Sequence, residues 1–167
     1  TALRGPWLEP FLKAIGEATL VAMQPGLDDR AFLAEQIADD QIVQGMISMV
    51  SYQAPLAGED REPGVAYWFP PLSPSPFSGP NAERVQAVVD GLKAGKCPAK
   101  VHANASLEAA RGSAILMPHL AALELEAWSL KGLRKSERLA IATAASKEAL
   151  ATVAAYTETA VPGLMSC

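Results

Sequence analysis

The stretch TLVAMQPGLDDRAFLAEQI, residues 19–37, decides how the first half of the chain is expected to fold. Its apolar, partly β-branched start, 19–23, predicts a buried strand. Residues 24–26 follow as a turn, and Asp28 or Asp29 is placed to cap a helix over the rest of the stretch. A strand, a tight turn and a capped helix in this order are typical of a doubly wound α/β sheet.

Three more strands are expected after this stretch. The long apolar run 42–50 predicts a second buried strand, and 65–69 predicts a third that ends at two prolines. Residues 100–102 predict one more short strand. The segment 70–80 holds five prolines and three serines, so we expect it not to form a regular strand ladder. A rigid surface connection is the favoured interpretation, with a polyproline ligand as the alternative.

Helical patterns precede and follow these strands. Residues 7–15 are amphipathic, and Asn81 is expected to cap a helix that Gly95 closes. Farther on the chain becomes alanine-rich, and 106–130 and 136–160 predict two long helices. The sequence therefore predicts an α/β lobe followed by a helical lobe.

The change of character near residue 105 defines two predicted domains, 1–105 and 106–167. The chain has no initiator Met, starts directly on a helical pattern and ends shortly after a Pro-Gly turn. Both ends look cut, and we expect the chain to be a fragment of a longer protein.

Composition and net charge limit the binding partners and the cellular compartment that we expect. The chain has 167 residues, a net charge of −4 and 50% hydrophobic residues. Without a basic patch, nucleic acid is not an expected partner. No apolar run approaches the roughly 18 residues of a membrane span, and the start lacks a signal-peptide pattern. We therefore expect a cytoplasmic protein with no membrane partner. Cys97 and Cys167 are expected to be unpaired thiols.

Gln24 and Gly26 are the candidate ligand-binding residues, because they directly follow a predicted strand and precede a predicted helix. In open α/β sheets, ligands bind at the carboxyl ends of strands, where backbone amides converge. An ordinary turn without a ligand is the competing interpretation. No GxGxxG loop, zinc-type spacing or GxSxG elbow occurs in the sequence.

His119 is the candidate acid–base residue. It follows Pro118, which is expected to kink the long helix, and it shares a helix face with Glu126. A histidine that only packs or faces solvent is the alternative. Trp68 and Trp128 are predicted to anchor a core or a contact between lobes, and the charged run that begins at Lys131 is predicted to be a solvated connection between helices.

Three segments resemble the ketopantoate reductase family. The first is 12–33, where the strand, the Gln24-x-Gly26 turn and the acidic helix start are similar to the family's Gln-Asn-Gly turn. The second is 35–50, followed by Glu62-Pro63-Gly64-Val65, similar to the family's long strand and Pro-Gly-Val hairpin. The third is Met117-Pro118, similar to an Asn-Pro step in the family's first long carboxyl-terminal helix.

The resemblance implies a fold and an activity. Family members bind NADP on an amino-terminal Rossmann domain, and a helical domain completes the pocket in which a small 2-oxo acid is reduced. The fold class would then be an α/β remnant of a Rossmann-type sheet, containing its last strands, followed by a mostly α-helical carboxyl-terminal domain. Gln24 and Gly26 would contact NADP in the full-length parent. The chain alone would lack the glycine-rich phosphate loop and would not hold NADP tightly.

The family's catalytic lysine is not present. Alignment on Pro118 puts Ala109, Ser113 and Met117 at the catalytic steps of the helix, and the other register puts Ser113, Met117 and Ala121 there. None of these side chains has a pKa suited to donating a proton to an oxyanion. Pro25 replaces the family's asparagine. The catalytic residue is therefore unknown, with His119 as the candidate replacement.

The alternative function is a non-catalytic module that forms a homodimer or binds a partner through its helices. An apolar stripe recurs in the last helical pattern at steps of three and four residues, a spacing that suits close helix packing. Its members are Leu139, Ala142, Ala149, Val153 and Tyr156.

Overall fold

A computed structural model describes residues 2–24, 26–55, 58 and 60–160. The chain forms two compact units, Thr1–Ser106 and Leu107–Cys167. The predicted boundary near residue 105 lies beside this division.

The first unit contains, in chain order, α1 (Leu8–Ile15), β1 (Leu20–Ala22), α2 (Asp29–Ala34), β2 (Ile42–Gly45), β3 (Val50–Ala54), β4 (Gly64–Trp68), β5 (Ser75–Ser78), α3 (Ala82–Ala94) and β6 (Ala99–Val101). Short 3-10 turns cover Ala2–Arg4 and Asp39–Gln41. The second unit is helical, with α4 (Ala105–Leu125) starting at the boundary and followed by α5 (Leu130–Leu133) and α6 (Arg138–Tyr156).

Four strands form the main sheet in the order β1-β2-β5-β6. Strand β1 pairs parallel with β2, with Leu20 opposite Ile42. The central pair, β2 and β5, is antiparallel, and β5 pairs parallel with β6. The first unit is therefore a mixed α/β structure with a small mixed sheet, and the Rossmann identity of this sheet remains a prediction.

Each face of the sheet is covered by helices. Leu8, Leu12 and Leu33 of α1 and α2 form one buried cluster with Ala22 and Ile42 of the strands. On the other side, α3 contributes to a second cluster, whose buried members are Val43, Phe77, Val85, Val89 and Ala99. The predicted strand at 19–23 and helix at 7–15 are confirmed, because both supply apolar side chains to the first cluster.

Helix α3 begins and ends where the sequence predicts. The side chain of Asn81 accepts a hydrogen bond of 3.1 Å from the Arg84 backbone N–H, and Gly95 follows the last turn. Helix α2 is shorter than predicted, ending at Ala34. Asp28 makes no capping bond, because its carboxylate instead accepts a hydrogen bond of 2.8 Å from Arg4.

Two strand predictions are wrong. The run 42–50 is not one strand, because β2 ends at Gly45 and Val50 starts β3 in a different sheet. The proline-rich segment 70–80 contains β5, a buried strand in the middle of the main sheet. Pro76 is tolerated there because it lies just beyond the last paired residue of β2, and its carbonyl accepts a hydrogen bond from Met46 N–H.

Strands β3 and β4 form a separate two-stranded hairpin, with Val50 opposite Trp68 and Ala54 opposite Gly64. Most of its residues are exposed, including Trp68. The predicted strand at 65–69 therefore exists but does not join the main sheet. The prediction that Trp68 anchors a core is wrong, because a two-stranded hairpin offers no interior in which to bury a large ring.

The helical unit packs through small side chains. Ala142, Ser146, Leu150 and Ala154 form the buried face of α6. Ala122 of α4 and Leu133 of α5 cluster with Ala142. Helix α4 continues through Pro118. Trp128 is exposed, so it is not a core residue of this unit.

Among the described residues, no helix is long and apolar enough to span a membrane.

Candidate functional site

The turn between β1 and α2 is closely packed against its own helix. Asp29, the first residue of α2, is only 3% exposed, and its backbone N–H donates to the Gly26 carbonyl over 3.4 Å. A Cβ atom on Gly26 would overlap the Asp29 carboxylate. Glycine is therefore required here for close approach of the carboxylate to the backbone. Pro25 lies outside the described residues.

A cavity of about 210 Å³ lies beside this turn. Five consecutive residues, 20–24, line one side of it. Successive residues of a strand point to opposite faces, so a cavity that touches all five must follow the edge of β1. The remaining lining residues are Leu3, Trp7, Leu8, Phe11 and Leu33.

The cavity is mainly apolar and aromatic. The rings of Trp7 and Phe11 meet edge to face with centroids 5.6 Å apart, and both side chains are exposed. Among the described residues that line the cavity, Gln24 has a polar side chain and Trp7 carries an indole N–H, whereas the others are apolar. Small-molecule sites in proteins are commonly apolar spaces with a few polar groups, and this cavity has that composition.

Residues near the carboxyl ends of β1 and β2 and at the start of α2 carry buried polar atoms without a partner. Within the described residues, Gln24 Oε1, Asp29 Oδ1 and Gln44 Nε2 are buried and make no hydrogen bond. Gln44 is 6% exposed and pairs with Ala22 in the ladder. Arg4 partly compensates Asp29, with its NH1 at 3.7 Å from Oδ1. Unmatched buried donors and acceptors are costly, so they mark a place where a ligand or water can add a bond.

Arg4 contacts three residues at the start of α2 and within it. Its guanidinium donates to the Asp28 carboxylate and lies over the Phe32 ring, 4.7 Å from the centroid. Residues before α1 are thereby fixed to the start of α2. Sequence patterns did not predict this contact, because Arg4 and Asp28 are 24 positions apart.

His119 does not meet Glu126. Its Nδ1 lies 2.7 Å from the Ile115 carbonyl and 3.2 Å from Ser146 Oγ. Ser146 Oγ also donates to the same Ile115 carbonyl over 3.1 Å. Pro118 has no N–H of its own, and the imidazole and the hydroxyl together hydrogen-bond the backbone of the turn before it.

The Ser146–His119 pair has the atoms of a nucleophile and a base, but Ser146 is completely buried. A nucleophile must reach a reacting carbon, and this hydroxyl already donates to a backbone carbonyl. We therefore interpret the pair as a structural contact between α4 and α6. Ser146 lies within an alanine-rich pattern, so its location gave no signal of this contact.

Glu126 belongs to an ion pair at the end of α4. Arg138 NH1 lies 2.5 Å from Glu126 Oε1. The hydrogen bond from Ser136, followed by that from Arg138, holds the pKa of Glu126 below its ordinary value, although burial opposes this shift. Glu126 is therefore a charged structural acceptor and is not placed to orient His119.

The positions that the family resemblance assigns to catalysis are chemically poor. Ala109 is buried, Ser113 is half-buried and Met117 is exposed. Cys97 is a free thiol, and Cys167 lies outside the described residues. In the described part of the chain, no group of three or more His, Cys, Asp or Glu side chains is arranged to hold a metal ion.

Sequence reasoning chose Gln24 and Gly26 as candidate ligand-binding residues, which stays a prediction, and it did not include Asp29 or Gln44. A signal for Gln44 was present, since it interrupts the apolar run 42–50 with a long polar side chain.

A comparison with known protein families, curated proteins and solved structures finds no match for this chain.

Proposed function

We propose that this chain is part of a ketopantoate-reductase-like oxidoreductase that acts on a 2-oxo acid or a similar small substrate. In this proposal the turn after β1 supplies one wall of an NADP site, with Gln24 and Gly26 as the contacting residues. The proposal is carried by one observation: the cavity runs along β1 and is lined by Gln24, whose side-chain Oε1 is buried and makes no hydrogen bond.

The location of the cavity supports a nucleotide ligand. The turn stands at the carboxyl end of β1, where doubly wound sheets bind their ligands. A nicotinamide ring carries a carboxamide whose N–H groups match an unpaired acceptor such as Gln24 Oε1. When bound, the nicotinamide would supply the hydride, and this chain's residues would orient the ring and exclude water from it.

The exposed edge of the sheet also supports the proposal. Within the described residues, β1 is the last strand on its side of the main sheet. It is nevertheless parallel to its neighbour, and an apolar cavity lies along it. Parallel strands are usually buried within larger sheets. We infer that further parallel strands, including one followed by a glycine-rich phosphate loop, complete the cofactor site in the longer protein.

Reduction of a 2-oxo acid also requires a proton donor. Ala109, Ser113 and Met117 offer no suitable acid. His119 remains the candidate, acting through Nε2, because its Nδ1 is engaged by Ile115 and Ser146.

Titration of the chain by nuclear magnetic resonance tests the proposal. NADP, nicotinamide mononucleotide and AMP are added separately, and backbone and side-chain amide shifts are followed. We expect weak binding of the two nicotinamide compounds, with shifts at Met23, Gln24 and Gly26. Gln24→Ala is expected to abolish these shifts, because it removes the unpaired acceptor.

The matched control is Gln86→Ala on α3, where the Gln86 side chain is exposed and donates to Asp90 over 2.8 Å. This control is expected to leave the shifts unchanged. Shifts that avoid the turn, or that persist in Gln24→Ala, would contradict the assignment of the site. Tight binding of NADP by the isolated chain would contradict the view that the phosphate loop lies elsewhere.

The second candidate is helix-mediated self-association. The predicted stripe does not support it directly, because Ala142 is buried and Leu139, Ala149 and Val153 are half-buried within the helical unit. The outer side of α6 nevertheless exposes Ile141. Sedimentation equilibrium of the chain and of Ile141→Glu distinguishes the possibilities: a dimer that the substitution dissociates supports association through α6, whereas a monomer excludes it.

A further inference from the structure

We propose that the connection between α4 and α6 is a docking surface for an anionic lipid bilayer. The surface, named here the Trp128 surface, consists of Leu125, Trp128, Leu130, Lys131, Arg134 and Lys135. It lies entirely within the helical unit and is independent of the function proposed above.

The first observation is a cluster of exposed apolar side chains. Leu125, Trp128 and Leu130 are 69%, 63% and 68% exposed. Ala122 and Leu133 on either side of them are buried in the core of the same unit. The segment therefore has an inward side that packs and an outward side that leaves three large apolar groups exposed to water, which is unfavourable relative to burial.

The second observation is that the backbone fixes this arrangement. Ala127 and Trp128 both adopt left-handed conformations, with φ of 50° and 61°. Their N–H groups donate to the carbonyls of Glu124 and Leu123, each over 2.9 Å. Ser129 then caps α5 by accepting a 3.0 Å hydrogen bond from Gly132 N–H. The apolar groups are thus presented by a hydrogen-bonded turn.

The third observation is a cationic group beside the apolar one. Lys131, Arg134 and Lys135 are exposed and, with Leu130, line a cavity of about 360 Å³. These three positive charges form a local feature, because the whole chain has the opposite sign, with a net charge of −4. The acids closest in sequence are Glu126, which pairs with Arg138, and Glu137.

Charge complementarity and the apolar groups together select the occupant. Three cations require an anionic surface. An acidic peptide or a nucleic acid would pair with the cations but leave Leu125 and Leu130 in water. A bilayer offers anionic headgroups and, just beneath them, an interfacial layer in which Trp and Leu side chains are favoured. This inference departs from our expectation of no membrane partner, which was based on spanning segments.

Flotation with lipid vesicles tests the proposal on the full chain. We expect the protein to float with vesicles of phosphatidylcholine containing phosphatidylserine and to stay behind with vesicles of phosphatidylcholine alone. Lys131→Glu combined with Lys135→Glu is expected to weaken binding by at least about 30-fold, since each cation near an anionic bilayer contributes about fivefold. Leu130→Ser is expected to weaken binding by about tenfold, because it removes one inserted side chain.

Matched controls keep the outcome specific. Lys93→Glu combined with Lys100→Glu makes the same charge change on the α/β unit, and Ile141→Ser removes an equally exposed apolar group on α6. Neither control is expected to alter flotation. The proposal is overturned if both lipid compositions bind equally, if neither binds, or if the controls lose as much as the test variants. It is also overturned if soluble polyglutamate binds the Trp128 surface as well as vesicles do and Leu130→Ser has no effect on either. Circular dichroism confirms that each variant is folded.

Discussion

Gly45 shows how one missing side chain shapes the sheet. It pairs with Phe77 across β2 and β5, and the completely buried Phe77 ring occupies the space where a Cβ of residue 45 would lie. We expect Gly45→Ala to lower the free energy of unfolding by about 1–3 kcal/mol, because the ring must move within a packed cluster. Urea denaturation measures this change.

Gly91→Ala is the matched control for that substitution. Gly91 lies in α3, and a Cβ there would meet no atom within 4 Å. The alanine is expected to stabilise the protein by about 0.5–1 kcal/mol through helix propensity. Equal effects of the two substitutions would show that the Phe77 ring does not fill the space above Gly45.

Glu126 gives a prediction for pH. Hydrogen bonds from Ser136 and Arg138 hold its pKa below the ordinary value of 4.5. A carboxylate with a lowered pKa stabilises the folded state at pH above its unfolded pKa. That stability is lost as pH falls from about 4.5 through the lower, folded value. We expect Glu126→Gln to unfold with less pH dependence in this range, as measured by denaturation at successive pH values.

Arg138→Ala provides an independent check on the same group, because removing the cation should raise the pKa of Glu126 in a carboxylate titration by nuclear magnetic resonance. Glu137→Gln is the control, since Glu137 makes no capping bond at the start of α6. If Glu137→Gln flattens the pH dependence as much as Glu126→Gln does, the assignment to Glu126 is wrong.

At the scale of secondary-structure elements, the contact between α4 and α6 depends on Ser146. Its buried hydroxyl donates to Ile115 and lies against His119. We expect Ser146→Ala to lower the free energy of unfolding by about 1–2 kcal/mol, because the completely buried Ser146 hydroxyl no longer bonds the Ile115 carbonyl across the two helices. Thermal denaturation measures the loss.

Thr152→Ala on the same helix is the control. Thr152 also donates its hydroxyl to a backbone carbonyl, that of Glu148, but at an exposed position. Its substitution is expected to change stability by no more than about 0.5 kcal/mol, because water replaces the lost bond. Because alanine has the higher helix propensity, propensity alone would not lower stability in either variant. An equal loss in both variants would show that the bond from Ser146 to Ile115 is worth no more than the exposed bond of Thr152.

At the scale of the whole molecule, each of the two compact units has its own hydrophobic core. Leu33 is completely buried in the α/β unit, and Leu150 is 1% exposed in the helical unit. Either leucine-to-alanine substitution is expected to cost about 2–5 kcal/mol in the unit that loses the side chain. Hydrogen exchange followed residue by residue should show Leu33→Ala accelerating amides of β1 and β2, and Leu150→Ala accelerating amides of α4 and α6. Uniform acceleration in both variants would show that the chain unfolds as one cooperative unit.

Local patterns in the sequence determined several elements correctly. The apolar run 19–23, the Asn81 cap and the alanine-rich stretches each act over a few neighbouring residues, and each produced the expected strand or helix. The location of Gln24 and Gly26 between β1 and α2 could be predicted for the same reason, because the order of the strand and helix patterns is local. Their role as ligand-binding residues stays a prediction. Composition likewise indicated the change from a mixed region to a helical one.

Only the tertiary structure decided which strands share a sheet and which side chains meet. β5 lies in the centre of the sheet despite Pro76, because the Phe77 ring fills the space above Gly45. Its neighbours, β2 and β6, come from segments that are distant in sequence. The burial of Gln44 and the contact of His119 with Ser146 also join residues from separate elements. Sheet membership and side-chain contacts are set by packing between distant segments, and local propensity carries no information about such pairings.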